Sequence, residues 1–142
     1  MRSNLRLAFS YASNVDAGQR AAFRYLEAHV QAGDRVLNDI TQDSGWMYAD
    51  NGVTPLFAMA VRAFPAKDWG QRIYLLRNAS HLALNPTVTQ VADQWHVQWA
   101  FVSSRLFPLR KTMLTVGGLS SSPAWRMAFH SGTAWVFQRV SG

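Results

Sequence analysis

One stretch of the chain concentrates side chains that could bind a ligand. It contains two carboxylates, an amide, a hydroxyl and two aromatic rings. These candidate ligand-binding residues are Asn38, Asp39, Asp43, Ser44, Trp46 and Tyr48. Carboxylates and amides hydrogen-bond to sugar hydroxyls, and an aromatic ring packs on the apolar face of a sugar. We interpret the stretch as a carbohydrate-binding loop. The alternative is a turn in which the aspartates cap backbone N–H groups and Trp46 fills the core.

The sequence contains none of the common catalytic motifs. It has no glycine-rich phosphate loop, no paired-histidine helix for a metal and no Gly-x-Ser-x-Gly turn. The histidines lack the spacing of metal ligands, and they are His29, His81, His96 and His130. We therefore expect no catalytic residue, no metal and no cofactor. The alternative is a small hydrolase in which the fold brings a histidine to Asp39 or Asp43.

A helix, a glycine turn and a strand must position this loop. Asp16 can cap the helix, apolar residues recur at helical spacing through residues 22–30, and Gly33 ends it. Residues 36–38 form a short apolar run that is typical of a buried strand. In α/β sheets, ligands bind in the loops that follow the carboxyl ends of strands.

The rest of the chain predicts helices that alternate with short strands. The predicted elements are a strand at 53–59, helices that begin at Asp68 and Asn85, a strand at 96–103, one helical turn between 105 and 123, and a hairpin of 125–129 and 133–140. Alternation in the strand at 96–103 places Val97, Trp99 and Phe101 on one face.

These elements predict a single α/β domain over residues 1–142, with 1–14 as a linker. The fold class is a three-layer domain with a mixed sheet, which has a parallel centre and a C-terminal antiparallel hairpin. The residues expected in its core are Leu26, Val36, Leu37, Phe101 and Val136.

Composition narrows the functional classes. Hydrophobic residues make up 49% of the 142 residues and charged residues only 15%, which excludes a disordered chain. The net charge of +6 comes mostly from arginines scattered along the chain. Arginines scattered in this way are better explained by a GC-rich coding sequence than by a nucleic-acid-binding surface. Nucleic acid is therefore not the expected partner, and an arginine-rich nucleic-acid-binding module is kept as an alternative. The absence of cysteine excludes disulfides and thiol catalysis.

A resemblance to a known family rests on the same region. Its residues are Tyr25-Leu26, 33–39, 43–49 and Gly52-Val53, with a weaker match over 125–140. Across residues 20–60 the sequence resembles the C-terminal extracytoplasmic domain of a family of actinobacterial polytopic membrane proteins. That family has the plan of GT-C type glycosyltransferases, which use polyprenyl-phosphate sugars to build the cell wall.

The resemblance implies that the chain is a non-catalytic fragment of a larger membrane protein. The domain would lie at the cell membrane on the extracytoplasmic side, although the sequence has no uninterrupted apolar run of the ~18 residues that a span needs. Its implied partners are its own transmembrane region, the membrane, and a cell-envelope glycan or polyprenyl-phosphate sugar. Asp39 and Asp43 match the motif of the soluble domain, so they do not inherit the catalytic carboxylate of such enzymes.

Overall fold

The computed structural model describes residues 16–39, 46–57, 66–104 and 113–140. The helices are α1 (Ala17–His29), α2 (Trp46–Asn51), α3 (Ala66–Asn78), α4 (Pro86–Gln94) and α5 (Val116–Ser120), with a 3-10 turn at Ala79–His81. The strands are β1 (Arg35–Leu37), β2 (Val97–Ser103), β3 (Trp125–Ser131) and β4 (Ala134–Arg139). Residues 1–14, predicted to be a linker, lie outside the described residues.

The described strands form one mixed sheet in the order β1-β2-β4-β3. Strand β1 is parallel to β2, whereas β4 is antiparallel to both β2 and β3. The predicted mixed α/β sheet and C-terminal hairpin are therefore confirmed. The predicted parallel centre was wrong. Among the described strands the parallel pair β1–β2 lies at one edge of the sheet, because the hairpin brings β4 against β2 and makes the central pair antiparallel.

Helices cover both faces of this sheet. Helix α1 places Phe23 and Leu26 against Phe101 and Val136 on one face. Helices α3 and α4 pack on the other face, where Leu75 and other apolar residues meet the sheet. The five residues predicted to be in the core are all fully buried: Leu26, Val36, Leu37, Phe101 and Val136. The three-layer arrangement follows from these two separate apolar clusters.

Helix α1 begins as its sequence predicts, but it ends at His29, with Val30 as its C-cap, before it reaches Gly33. The Asp16 side chain accepts a hydrogen bond from the backbone of Gln19, and the Gln19 side chain accepts one from the backbone of Asp16. This reciprocal capping box satisfies N–H groups that have no partner inside the helix. Gly33 follows the helix with a φ of +90°, a conformation that favours glycine.

Strand β2 departs from simple alternation at its start. Arg35 pairs with Val97 and Val36 pairs with Trp99, so Gln98 is an extra residue opposite β1. This bulge turns Val97 into the cluster that holds Ala100, on the face opposite Phe101. The prediction that Val97, Trp99 and Phe101 share one face was therefore correct for Trp99 and Phe101 and wrong for Val97.

The strand predicted at 53–59 is not formed within residues 53–57. Pro55 makes only an isolated parallel bridge with Val36. Both backbone hydrogen-bonding groups of Phe57 bind the side chain of Asn38, so no ladder continues there. Residues 58 and 59 lie outside the described part of the chain. The helix predicted to begin at Asp68 begins two residues earlier, at Ala66.

Candidate functional site

Asn38 lies at the carboxyl end of β1 and is 1% exposed. Its Nδ2 donates to the carbonyl oxygen of Phe57 at 2.9 Å, and its Oδ1 accepts from the Phe57 N–H at 2.8 Å. The amide thus pairs with Phe57 as a neighbouring strand would. This geometry fastens the segment after α2 to the end of β1.

Asp39 is fully buried one residue further on. Its Oδ2 accepts hydrogen bonds from the backbone N–H groups of Met113 at 2.6 Å and Leu114 at 2.8 Å. Hydrogen bonds to an ionised group are stronger than neutral ones, so this carboxylate can hold the two chain segments together. Asp39 therefore acts as an anchor between the end of β1 and the segment that precedes α5.

Tyr48 is an exposed aromatic residue of this region. Its side chain is 62% exposed, whereas the adjacent Met47 is fully buried against the α1 face of the sheet. Helix α2 ends at Asn51, whose Nδ2 donates to Glu27 at 2.7 Å, and Gly52 follows with a φ of +71°. A solvent-facing ring on a short anchored helix can stack on the apolar face of a ligand.

The other predicted ligand-binding residues have no described side chains. Asp43 and Ser44 lie outside the described residues, and for Trp46 the structure describes only the backbone at the start of α2. The structure therefore brings Asn38 and Asp39 together at the end of β1. The recognition role of the six residues stays a prediction.

A buried polar network at the carboxyl end of β2 escaped the sequence analysis. Gln19 is fully buried, and its Nε2 donates to the Oγ of Ser103 at 3.1 Å. The Thr133 hydroxyl donates to the carboxylate of Asp16. The network joins the start of α1 to β2 and to the turn of the hairpin. Its one sequence signal was the Asp-x-x-Gln spacing of a capping box.

Two arginines flank one tryptophan at the opposite, amino edge of the parallel pair. The guanidinium carbons of Arg72 and Arg35 lie 4.3 Å and 5.2 Å from the centre of the Trp95 ring. Arg72 is 7% exposed and donates to the carbonyl oxygen of Leu56. Burial lowers the pKa of Arg72, the charge of Arg35 lowers it further, and Asp68 opposes both effects. No sequence motif pointed to this stack, because its members are distant along the chain.

The alternative functions are not favoured. Asp39 binds backbone N–H groups, while His29 contacts the carbonyl oxygen of Tyr25 and His130 contacts that of Gly132. Among the described residues, no group of three His, Asp or Glu side chains could hold a metal ion. Arg139 pairs with Asp93 instead of standing free for a phosphate backbone.

The fold is shared with a known domain type. The chain is similar to the C-terminal globular domain of an oligosaccharyltransferase from Archaeoglobus fulgidus, with a TM-score of 0.63 and 13% sequence identity. The likeness covers 90% of this chain and 100% of that domain. The protein is thus an α/β domain with the architecture of that globular domain.

The sequence family is also defined. Residues 3–140 match the profile of a family described as "Family of unknown function (DUF6541)", and the chain belongs to that family. No curated protein matches the chain. Within the described residues, no helix combines the length and apolar character needed to cross a membrane.

Proposed function

We propose that this chain is a non-catalytic extracytoplasmic domain of a membrane protein related to cell-envelope glycosyltransferases. The observation that carries the proposal is the shared fold, which extends over the whole C-terminal globular domain of the archaeal oligosaccharyltransferase. Under this proposal, the domain formed by this chain accompanies a membrane-embedded enzyme and takes part in recognising a carbohydrate or polyprenyl-linked substrate. We also propose that the parent membrane protein is an actinobacterial cell-wall enzyme.

The recognition surface would be the loop that follows β1. Asn38 and Asp39 are buried and bonded to backbone groups, so they hold the loop in place. Tyr48 would stack on a sugar ring, since its side chain is exposed. Asp43, Ser44 and Trp46 would supply further contacts. The ligand would be a cell-envelope glycan or a polyprenyl-phosphate sugar.

A titration tests the recognition role. Arabinose- and mannose-containing oligosaccharides are added at millimolar concentration while the backbone amide shifts of residues 38–48 are followed. Tyr48→Ala should raise Kd by about two- to tenfold, because aromatic packing contributes about 0.5 to 1.5 kcal/mol. Tyr48→Phe keeps the ring and should bind as the natural chain does. Met127→Ala is the matched control, since Met127 is also exposed but lies on β3.

Two results would contradict the proposal. The recognition role fails if no glycan shifts the amides of residues 38–48. The membrane assignment is tested separately on the full-length gene product. The tests are cell fractionation and protease treatment of intact protoplasts, which are cells from which the wall has been removed. We expect the domain in the membrane fraction and cleavage from outside. Recovery in the cytosolic fraction would overturn this assignment.

A further inference from the structure

An open groove of about 530 Å³ lies between α4 and the sheet, at the start of β2 and the end of β4. Its polar side chains are Thr89, Asp93, Gln98 and Arg139, and its apolar wall includes Leu82, Pro123 and Val140. Pockets that bind small ligands have volumes of about 300 to 1,000 Å³. Of the residues that the structure describes, neither Asn38 and Asp39 nor Tyr48 lines this groove.

The charges of the groove balance each other. Arg139 Nη2 lies 2.7 Å from Asp93 Oδ1, and Arg139 Nη1 donates to the carbonyl oxygen of Val97 at 3.3 Å. Arg139 is 11% exposed and Asp93 is 61% exposed. The Arg139 guanidinium is therefore held in place by two partners. The Asp93 carboxylate faces solvent and can accept further hydrogen bonds. A neutral pair of this kind does not favour an anionic ligand.

Asp93 also occupies a position that helix stability disfavours. It lies in the last turn of α4, where the described helix has no basic residue. The partial negative charge at the carboxyl end of a helix repels a carboxylate, and this repulsion is offset here by Arg139.

Gln98 supplies unused hydrogen-bonding capacity. It is the bulged residue of β2, and bulges redirect a side chain away from regular alternation. Its carboxamide makes no hydrogen bond to any of the residues that the structure describes. The amide therefore offers both a donor and an acceptor to a molecule in the groove. The hydroxyl of Thr89, in contrast, is bonded to the carbonyl oxygen of Leu82.

We propose that this groove binds a neutral saccharide of one or two sugar units. The Asp93 carboxylate accepts from neighbouring sugar hydroxyls, and Gln98 exchanges hydrogen bonds with a further hydroxyl. Val140 and Pro123 pack against the C–H face of the ring. A sugar fits because each hydroxyl both donates and accepts, which matches this neutral set of side chains. The ligand class follows from the groove itself and does not depend on the role proposed for the loop after β1.

The test uses methyl glycosides of neutral pentoses and hexoses and their linear disaccharides. At millimolar concentration, at least one should shift the side-chain amide of Gln98 and the backbone amides of Asp93 and Val140. Gln98→Met and Asp93→Asn should each raise Kd by about three- to tenfold through the loss of a hydrogen bond. Gln90→Met is the matched control, since Gln90 is exposed on α4, the helix that carries Asp93, but does not line the groove.

Each outcome decides the inference. The inference is overturned if none of these sugars shifts the groove amides, or if Gln98→Met and Asp93→Asn bind as tightly as Gln90→Met. Inorganic phosphate and acetate are the competing probes, and tighter binding of either at the groove would identify an anion site instead. Shifts confined to residues 38–48 would support the proposed function and refute the groove. Shifts confined to the groove would support the groove site and refute the recognition role of the loop after β1.

Discussion

Gly18 in α1 packs directly against the backbone of Ser131 in the hairpin. A β-carbon on Gly18 would approach the Ser131 carbonyl oxygen more closely than the 3.0 Å that real β-carbons keep. The absence of a side chain therefore allows the start of α1 to approach the hairpin turn, where the Asp16 carboxylate also meets Thr133.

Gly18→Ala is accordingly expected to destabilise the domain. The gain in helix propensity is about 1 kcal/mol, but the overlap with backbone must be relieved by moving the helix or the hairpin. We expect a net loss of about 2 kcal/mol or more in the free energy of unfolding, measured by urea denaturation. Gly70→Ala in α3 is the control, because a β-carbon there meets nothing within 4 Å. It should stabilise the domain by about 0.5 to 1 kcal/mol. Equal effects of the two changes would contradict this account.

Asp39→Ala should destabilise the fold. The change leaves the N–H groups of Met113 and Leu114 without their carboxylate, at a cost of about 2 to 4 kcal/mol. Asp39→Asn keeps an acceptor oxygen and should cost about half as much. Chemical denaturation followed by tryptophan fluorescence measures both. A stable Asp39→Ala variant that had lost only glycan binding would show that Asp39 acts on a ligand.

Arg72 should stabilise the domain much more than Arg35. Arg72→Ala removes the hydrogen bond to the Leu56 carbonyl, the contact with Trp95 and the packing of the aliphatic stem, for a loss of about 2 to 3 kcal/mol. Arg35→Met should change stability by less than about 0.5 kcal/mol, because it also removes a positive charge that opposes Arg72. Thermal and urea unfolding would check the difference. A larger loss for Arg35→Met would mean that Arg35 is the main support of the stack.

His96→Gly should stabilise the domain. His96 has a φ of +55° between α4 and β2, and its side chain is exposed. A left-handed conformation costs a residue with a β-carbon about 1 to 2 kcal/mol, part of which glycine loses again through its freer unfolded chain. We expect a gain of up to about 1 kcal/mol in unfolding free energy. His96→Ala should give no gain, and an equal gain would contradict the strain argument.

Local signals in the sequence were sufficient for much of the fold. Asp16 and Asn85 cap their helices as expected, since capping involves residues only two or three positions away. The bulge at Gln98 and the isolated bridge at Pro55 depend on pairing with distant segments. Neither follows from periodicity alone.

The candidate site shows the same division. The sequence placed Asn38 and Asp39 correctly at the end of a buried strand. It did not indicate that their partners are the backbone groups of Phe57, Met113 and Leu114, far along the chain. The same side chains suit a ligand or a turn, so only the three-dimensional neighbours distinguish the two. The groove at Gln98 was missed because it is assembled from separate elements.

The strand order has a consequence for biosynthesis. Strand β4 comes last among the described strands but lies between β2 and β3 in the sheet. While the chain is being made, β2 therefore lacks a neighbour on one side until β4 has emerged from the ribosome. The sheet cannot close progressively from its amino-terminal part. We expect nascent chains that end before β4 to remain open to proteases and chaperones, and protection to arise in one late step.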